Sequence, residues 1–341
     1  MVVVRPIQLD DLEHLLELTS DTGFGLTTLP HDREMLRKKI IKSQMSFESL
    51  QHDLQGDLFL FVLEEMESHQ VVGTSGIVSQ IGGFEPFYAY RVEQYEHKSK
   101  ILDVDETIEV LHLVQEHSGP SEIGSLLVAA SFRKGGNGRL LSLSRFLFMG
   151  TFSKFFDSEV LAEIRGLVDD EGHSPFWDAL GRKFFDIDFP TADYLIMIDK
   201  KFISELMPQH PIYIRLLPPQ AQEVIGKVHP DSQPALNILK AEGFRTNGMV
   251  DIFEAGPIVT CPLTEIRVVK SAKRCIVQEV AQSDITGERC IITNAQTDFR
   301  ACMGSVEMRG DDGVALSGAV AAALQVGIND PIRFTRLFAG S

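Results

Sequence analysis

A glycine-rich segment between a predicted strand and a predicted helix is the feature that most constrains the fold of this chain. Residues 133–139 read RKGGNGR, which places three glycines and three cations in seven residues. The aliphatic run at 123–130 before this segment predicts a strand. After it, Leu140, Leu143 and Leu147 are spaced three and four residues apart, as in a helix. A short two-residue alternation also allows a hairpin, but the length of the apolar run favours the helix.

Such a strand, glycine loop and helix can bind a pyrophosphate. Glycines let the backbone approach an anion closely and turn its N–H groups towards it. The N-terminus of the following helix adds partial positive charge, and Arg133, Lys134 and Arg139 supply cations. The alternative is an ordinary turn in a solvated basic patch, and the segment alone leaves both interpretations open.

Two other glycine-rich phosphate loops do not fit the sequence. The segment lacks the Gly-x-x-x-x-Gly-Lys-Ser/Thr pattern of a P-loop. A dinucleotide-binding fold would place its glycines after the first strand of a βαβ repeat. Here a strand, two helices and several further strands are predicted before the loop, so that this fold is not favoured.

Charge and composition narrow the classes of function. The 341 residues carry a formal net charge of −16, which opposes binding to nucleic acid and favours cationic small molecules. Cys261, Cys275, Cys290 and Cys302 show no zinc-ligand spacing, so we expect a reduced, cytoplasmic protein without a metal site. We also expect no secretion signal and no membrane span, because no apolar run reaches about 18 residues.

The length allows two domains, and the composition predicts where they meet. Short β-branched runs such as 266–269 follow Gly256 and Pro257, and they predict a small all-β domain with at most one short helix, near 315–327. We therefore predict domains at 1–256 and 257–341. Within the first domain, the charged and weakly periodic residues 88–105 are interpreted as a long loop.

The loop resembles the Arg/Gln-x-x-Gly-x-Gly/Ala segment of the GCN5-related N-acyltransferases, with Arg133, Gly136 and Gly138 at the matching positions. The order of predicted elements also resembles that fold. The resemblance implies an α/β protein, whose mixed sheet carries helices on both faces, followed by a small C-terminal β-barrel.

Longer motifs resemble those of the arginine N-succinyltransferase family, in the family's order over about residues 1–257. These motifs are HSGPSEIGSLLV at 117–128, ELMPQHPIY at 205–213, IGKVHP at 225–230 and DIFEAGP at 251–257. The resemblance implies transfer of a succinyl group from succinyl-CoA to the α-amine of L-arginine, which gives N2-succinylarginine and CoA. It implies succinyl-CoA as a co-substrate and no tightly bound cofactor.

The resemblance also implies the site residues. His229 matches the family's proton donor, although its role as acid or base stays open. Leu126 matches a succinyl-CoA contact, and its strand is expected to supply a backbone N–H to the oxyanion. The full set expected to contact succinyl-CoA is Leu126, Arg133, Lys134, Gly135, Gly136, Asn137, Gly138 and Arg139.

The groups that bind the guanidinium of the acceptor are not assigned by the sequence. Carboxylates suit this task, because a guanidinium donates two parallel hydrogen bonds to them. Acidic residues near expected sheet ends are candidates without a preference among them: Glu163, Asp169, Asp170, Glu171 and Asp178. His117, His210 and Tyr213 also lie in the family-like motifs.

Two alternatives to this function remain open on the sequence. The acceptor could be ornithine or another cationic amine, or the acyl donor could differ. The chain could also be a noncatalytic or regulatory subunit that binds acyl-CoA, since the family includes paired, related subunits. We expect a homo-oligomer or a heteromer with a related subunit.

Overall fold

The computed structural model describes residues 1–20, 28–50 and 56–338, apart from the side chains of residues 84 and 85. The strands are β1 Val2–Pro6, β2 Leu58–Glu65, β3 Val71–Val78, β4 Gly82–Ser99, β5 Val104–Ser118, β6 Ser121–Val128, β7 Glu159–Glu163, β8 Ile212–Tyr213, β9 Arg245–Val250, β10 Pro257–Pro262, β11 Lys273–Ala281, β12 Cys290–Thr293, β13 Ala301–Gly304, β14 Glu307–Arg309, β15 Gly313–Ser317 and β16 Pro331–Arg336. The α-helices are α1 Leu12–Thr19, α2 Arg33–Glu48, α3 Asn137–Thr151, α4 Pro175–Ala179, α5 Arg182–Phe185, α6 Phe189–Ile196, α7 Lys201–Leu206, α8 Pro219–Val224, α9 Gln233–Glu242, α10 Arg267–Ser271 and α11 Gly318–Leu324. Within the described residues, no helix is both long and apolar enough to cross a bilayer.

The strands form one mixed sheet. Its order is β14-β15-β11-β16-β12-β13-β1-β2-β3-β6-β7-β10-β9-β4-β5-β8. The first strand connects the two halves of this sheet, because β1 pairs with β2 on one side and with β13 on the other. Val3 lies opposite Cys302 at this junction, and both side chains are buried.

The sheet carries helices on both faces, as predicted. Along β2, Phe59 and Phe61 point to one side and share a core with the buried face of α3. The alternate residues, Leu60 and Val62, share a second core with α1 and α2 on the opposite side. The two-residue period of a strand produces this division. The predicted α/β class and the predicted helix after the glycine loop are both confirmed.

The C-terminal segment does not form the separate barrel that we predicted. Its strands β11 to β16 continue the N-terminal sheet through the β1–β13 pair, and no closed barrel is seen in the described pairings. Of residues 266–269, predicted as a strand, Ile266 immediately precedes α10 and residues 267–269 form the start of this helix. Val268 is buried there in the core shared with α3, and such tertiary contacts outweigh the β-propensity of valine. The short helix expected near 315–327 is present as α11, and the domain boundary at 256/257 stays a prediction.

The segment 88–105 is not a loop but part of a long hairpin. Strands β4 and β5 pair from Tyr88 opposite Gln115 to Ser99 opposite Val104. Most side chains of the outer half are exposed to solvent, and Ile101 at the tip is 95% exposed. Since neither face of this half is covered by a core, the sequence lacks the alternation that normally reveals a strand.

Strands β6 and β7 run parallel but separate soon after they begin. Their described pairing consists of Ser121 with Val160 and Glu122 with Leu161. Beyond this point β7 keeps its pairing with β10, whereas β6 continues alongside β3 to Val128. The glycine-rich loop follows the free end of β6. A gap thus opens between the two strands on the side of the loop.

Candidate active site

The glycine-rich loop adopts the backbone conformation that its glycines permit. After β6 the chain makes one 3-10 turn and then enters α3 at Asn137. Gly135 and Gly136 both have positive φ, at 64° and 89°, a region that other residues rarely enter. No side chain of the described residues caps the N-terminus of α3 at Gly136. The N–H of Asn137 donates to the Lys134 carbonyl at 3.2 Å, whereas the N–H groups of Gly138 and Arg139 have no backbone acceptor among the described residues and can bind an anion.

Two of the three predicted cations lie at this loop. Arg133 and Lys134 are exposed, and Arg133 Nε donates to the Val128 carbonyl at 2.8 Å. Asn137 closes the loop, because its Nδ2 donates to the Phe132 carbonyl at 3.1 Å.

Arg139 is directed elsewhere. Its guanidinium lies 3.7 Å from the buried carboxylate of Glu242 and 5.2 Å from the ring centre of Phe338. Glu242 also accepts from Arg267 at 2.7 Å. The side chain of Arg139 thus joins α3 to α9 and to the C-terminal segment.

A cavity of about 310 Å³ adjoins the loop. It is bordered by α1, by the end of β6 and by the 3-10 turn that follows. Arg133 and His14 are among its lining residues, and the buried Nδ1 of His14 has no hydrogen-bond partner in the described chain. The loop therefore borders a concave surface.

Leu126 follows an irregularity in β6. The register between β3 and β6 shifts between Thr74 and Gly76, opposite this part of β6. Ser125 has φ of 54°, although it is not a glycine. A bulge of this kind re-aims the next peptide and side chain. Leu126 is half-buried and packs against the main core.

His229 is anchored to the chain that follows β7. The backbone N–H of His229 donates to the backbone carbonyl of Arg165 at 2.9 Å, and the His229 side chain is 17% exposed. The ring Nδ1 accepts from the N–H of Asp231 at 3.2 Å, so the neutral ring carries its proton on Nε2. Burial and the positive charge of Arg165 hold the pKa of His229 below its usual 6.5. The imidazole is therefore neutral at neutral pH.

Two carboxylates lie on one face of the sheet where β6 and β7 separate. Glu122 is opposite Leu161, so that Glu163, two residues farther along β7, projects from the same face. No hydrogen bond or ion pair of either carboxylate occurs among the described residues. Burial raises the pKa of Glu122, and burial together with the charge of Glu122 raises the pKa of Glu163.

Charged groups surround this pair. The side chain of Glu163 is open to solvent, and partial desolvation together with the nearby charge of Glu122 raises its pKa. Lys39 and Lys200 are close enough to act on the charge of Glu122. The sequence could not single out Glu122, because only the β6–β7 register brings it near Glu163.

The other predicted acidic candidates lie at surface positions with local partners. The carboxylate of Asp169 lies 3.1 Å from His173 Nδ1, and Asp178 pairs with Arg182 at 3.3 Å. All four of these side chains are exposed. Of the acidic candidates from the sequence, Glu163 is thus the one that lies where β6 and β7 separate.

Comparisons with known proteins agree with these features. The family described as arginine N-succinyltransferase beta subunit matches residues 2–268, and its C-terminal domain matches residues 273–336. An arginine N-succinyltransferase of Enterobacter sp. is 40% identical over 340 residues, which cover 99% of this chain and 98% of that protein. One from Escherichia coli O139:H28 is 39% identical over 344 residues, with the same coverage.

A solved structure supports the same assignment. The arginine/ornithine succinyltransferase subunit AI from Pseudomonas aeruginosa superposes with a TM-score of 0.90. It is 36% identical to this chain, and the match covers 99% of both chains. Similarity therefore extends over the whole length in both sequence and fold. This chain belongs to the arginine N-succinyltransferase family.

Proposed function

We propose that this chain transfers the succinyl group of succinyl-CoA to the α-amine of L-arginine, giving N2-succinylarginine and CoA. One observation carries the proposal beyond family membership. Strand β6 has the glycine-rich loop at one end and Glu122 near the other, with Leu126 between them, and the Glu122 carboxylate has no hydrogen bond or ion pair among the described residues. This arrangement suits a phosphate-bearing acyl donor and a cationic acceptor that meet in the gap beside β7.

The loop is proposed to hold the pyrophosphate of CoA. Gly135 and Gly136 turn the backbone towards the ligand, and the N-terminal N–H groups of α3, including that of Gly138, donate to it. Arg133 and Lys134 neutralise its charge. For Arg139 a direct phosphate contact stays a prediction, since its guanidinium is already engaged by Glu242.

The bulge at Ser125 is proposed to present the N–H of Leu126 to the thioester oxygen. Attack by the amine nitrogen forms a C–N bond and places negative charge on that oxygen, which a fixed N–H donor stabilises. The C–S bond then breaks, and the proton lost by the amine ends on sulfur. The neutral ring of His229 is suited to donate a hydrogen bond from its Nε2–H to the departing sulfur without losing this proton, because the proton that sulfur takes up is the one lost by the amine.

The guanidinium of L-arginine is proposed to lie against Glu122 and Glu163. Two neighbouring carboxylates repel each other, and a cation between them removes this repulsion. An ornithine side chain is shorter and would place an ammonium where arginine has Nε, without the planar fork that pairs with carboxylates. Guanidinium is therefore the favoured partner.

Compartment and assembly are the last parts of the proposal. The four cysteines are all buried and free, and burial raises the pKa of Cys302 to about 12 and that of Cys261 to about 11. Unreactive thiols of this kind suit a reduced, cytoplasmic protein. Assembly as a homo-oligomer or with a related subunit stays a prediction.

The first test is release of free thiol from succinyl-CoA by the purified chain. We expect release that depends on L-arginine, that is slower with ornithine, and that is weak with acetyl-CoA. Binding of CoA without turnover, followed by turnover when a related subunit is added, would instead support the noncatalytic alternative. Faster release with ornithine would contradict the assignment of the acceptor.

The loop can be tested by comparing Gly138→Ala with Gly136→Ala. A Cβ on Gly138 meets no atom within 4 Å, so we expect an unchanged melting temperature but at least tenfold weaker CoA binding, because the methyl group enters the phosphate site. A Cβ on Gly136 would lie 3.2 Å from Leu337, at a positive φ, so this variant should also melt earlier. Unchanged CoA affinity in Gly138→Ala, measured by calorimetry, would identify an ordinary turn.

We expect His229→Ala to lower kcat about 100-fold with little change in KM, because the hydrogen bond from Nε2–H to the departing sulfur strengthens only as charge develops in the transition state. The matched control is His173→Ala, which removes an exposed imidazole paired with Asp169 and should retain full activity. Nitrogen-15 NMR should show Nε2 protonated in the neutral ring and a pKa below 6.5. Full turnover in His229→Ala would remove His229 from the mechanism.

We expect Glu163→Gln to raise KM for L-arginine about 10- to 100-fold while the affinity for CoA is retained, since a charge-assisted pair to the guanidinium is lost. Asp178→Asn removes an exposed acid that pairs with Arg182 and serves as the control. Steady-state kinetics at saturating succinyl-CoA measure both. An equal rise in KM for the two variants would show that the effect is not local to the β6–β7 gap.

A further inference from the structure

Arg165 presents an unpaired guanidinium beside His229. The residue lies two positions after the end of β7, and its carbonyl accepts from the N–H of His229 at 2.9 Å. Its Nε is buried and has no hydrogen-bond partner in the described part of the chain. No described ion pair includes this side chain, whereas Arg5 pairs with Asp11 and with Glu64. Arg165 thus lies near the proposed reaction centre, and no carboxylate of the described residues forms an ion pair with it.

The acids around Arg165 do not supply the missing partner. Glu254 acts most strongly on its charge, but burial and the charge of Asp251 raise the pKa of Glu254 well above its usual value. The carboxylate of Glu254 instead accepts from the N–H of Gly166 at 3.3 Å. Asp231, Asp170 and Asp193 exert smaller effects. The guanidinium therefore retains the capacity to bind a carboxylate from outside the chain.

A half-buried guanidinium without an anion is costly, since arginine does not lose its proton at any ordinary pH. Its planar fork fits one carboxylate in a bidentate pair. The two-residue period of the strand places Arg165 on the same side as Glu163 if the extended chain continues past β7. Ile164 supports this continuation, because its N–H donates to the Pro257 carbonyl at 3.1 Å.

We propose that Arg165 binds a carboxylate of a reactant and thereby makes the enzyme selective for reactants that carry it. The inference rests on the proposed function, in which two such groups approach His229. One is the α-carboxylate of L-arginine, and the other is the distal carboxylate of the succinyl group. Either carboxylate can form the same bidentate pair with Arg165. Reactants that lack one of the two carboxylates therefore show which one Arg165 binds.

The variants for the test are Arg165→Met, which keeps an unbranched side chain without the charge, and Arg165→Lys, which keeps the charge without the fork. Arg182→Met is the matched control, because Arg182 is exposed and its ion pair among the described residues is with Asp178. Each variant is assayed with L-arginine or L-argininamide and with succinyl-CoA or butyryl-CoA. The amide lacks the α-carboxylate, and butyryl-CoA lacks the distal carboxylate.

With both natural reactants, we expect Arg165→Met to lower kcat/KM about 10- to 100-fold, with partial recovery in Arg165→Lys. If Arg165 binds the α-carboxylate, this loss disappears with L-argininamide and persists with butyryl-CoA. If it binds the distal carboxylate, the pattern reverses. An equal loss with all reactants, or no loss with the natural pair, overturns the proposal.

A second readout reports on the position of the guanidinium without turnover. Because the charge of Arg165 lowers the pKa of His229, Arg165→Met should raise that pKa and Arg165→Lys should largely preserve it, as followed by NMR titration. An unchanged pKa in Arg165→Met would contradict the geometry. An inactive wild-type enzyme would reject the proposed function instead. In that case, calorimetry measures the binding of L-arginine, L-argininamide, succinyl-CoA and butyryl-CoA to the wild-type protein and to Arg165→Met. A loss of affinity in Arg165→Met for the ligand that carries a carboxylate, but not for its analogue without it, shows which carboxylate Arg165 binds.

Discussion

The separation of β6 from β7 is the constraint on which the rest of the site depends. A parallel pair that stayed hydrogen-bonded would leave no room for a ligand between its strands. Here the described pairing ends at Glu122, and Arg145 of α3 donates to the Gly124 carbonyl at 3.1 Å just beyond it. Arg145 is 2% exposed and also donates to the carbonyl and the hydroxyl oxygen of Ser142. Its guanidinium is therefore hydrogen-bonded to neutral acceptors. The helix that follows the glycine-rich loop therefore also stabilises the open edge of β6.

The C-terminal segment contributes to this site through contacts with the loop. A Cβ on Gly136 would lie 3.2 Å from Leu337 and 3.4 Å from Met303, so that both residues limit the space behind the loop. Arg139 adds a second connection, since its guanidinium lies over the ring of Phe338. The β1–β13 pair fixes the segment in the common sheet. The C-terminal strands continue the N-terminal sheet, and this explains why C-terminal residues lie at the N-terminus of α3. An independent barrel would not need to make this contact.

Local signals in the sequence predicted the elements that local physics determines. Gly135 and Gly136 could be recognised because positive φ favours glycine, and α3 because its leucines follow a helical period. The hairpin β4–β5 escaped prediction because its outer half is solvated on both faces. Ser125 gave no signal, since its left-handed backbone is imposed by the bulge and not by its side chain. Partnerships between distant residues, such as Arg139 with Glu242, depend on packing that no local pattern contains.

The distribution of charge around the gap explains how an acidic protein can accept an anionic donor. A net charge of −16 repels succinyl-CoA. Salt screens this repulsion at distances beyond a Debye length of about 10 Å at ordinary ionic strength. In the proposed site, the donor meets local cations: Arg133 and Lys134 at the loop, and Arg165 beside His229. The cationic acceptor meets the carboxylates of Glu122 and Glu163, which act at short range where the overall charge is screened. Separate groups of cations and carboxylates thus explain how the proposed site would orient two reactants of opposite charge in one gap.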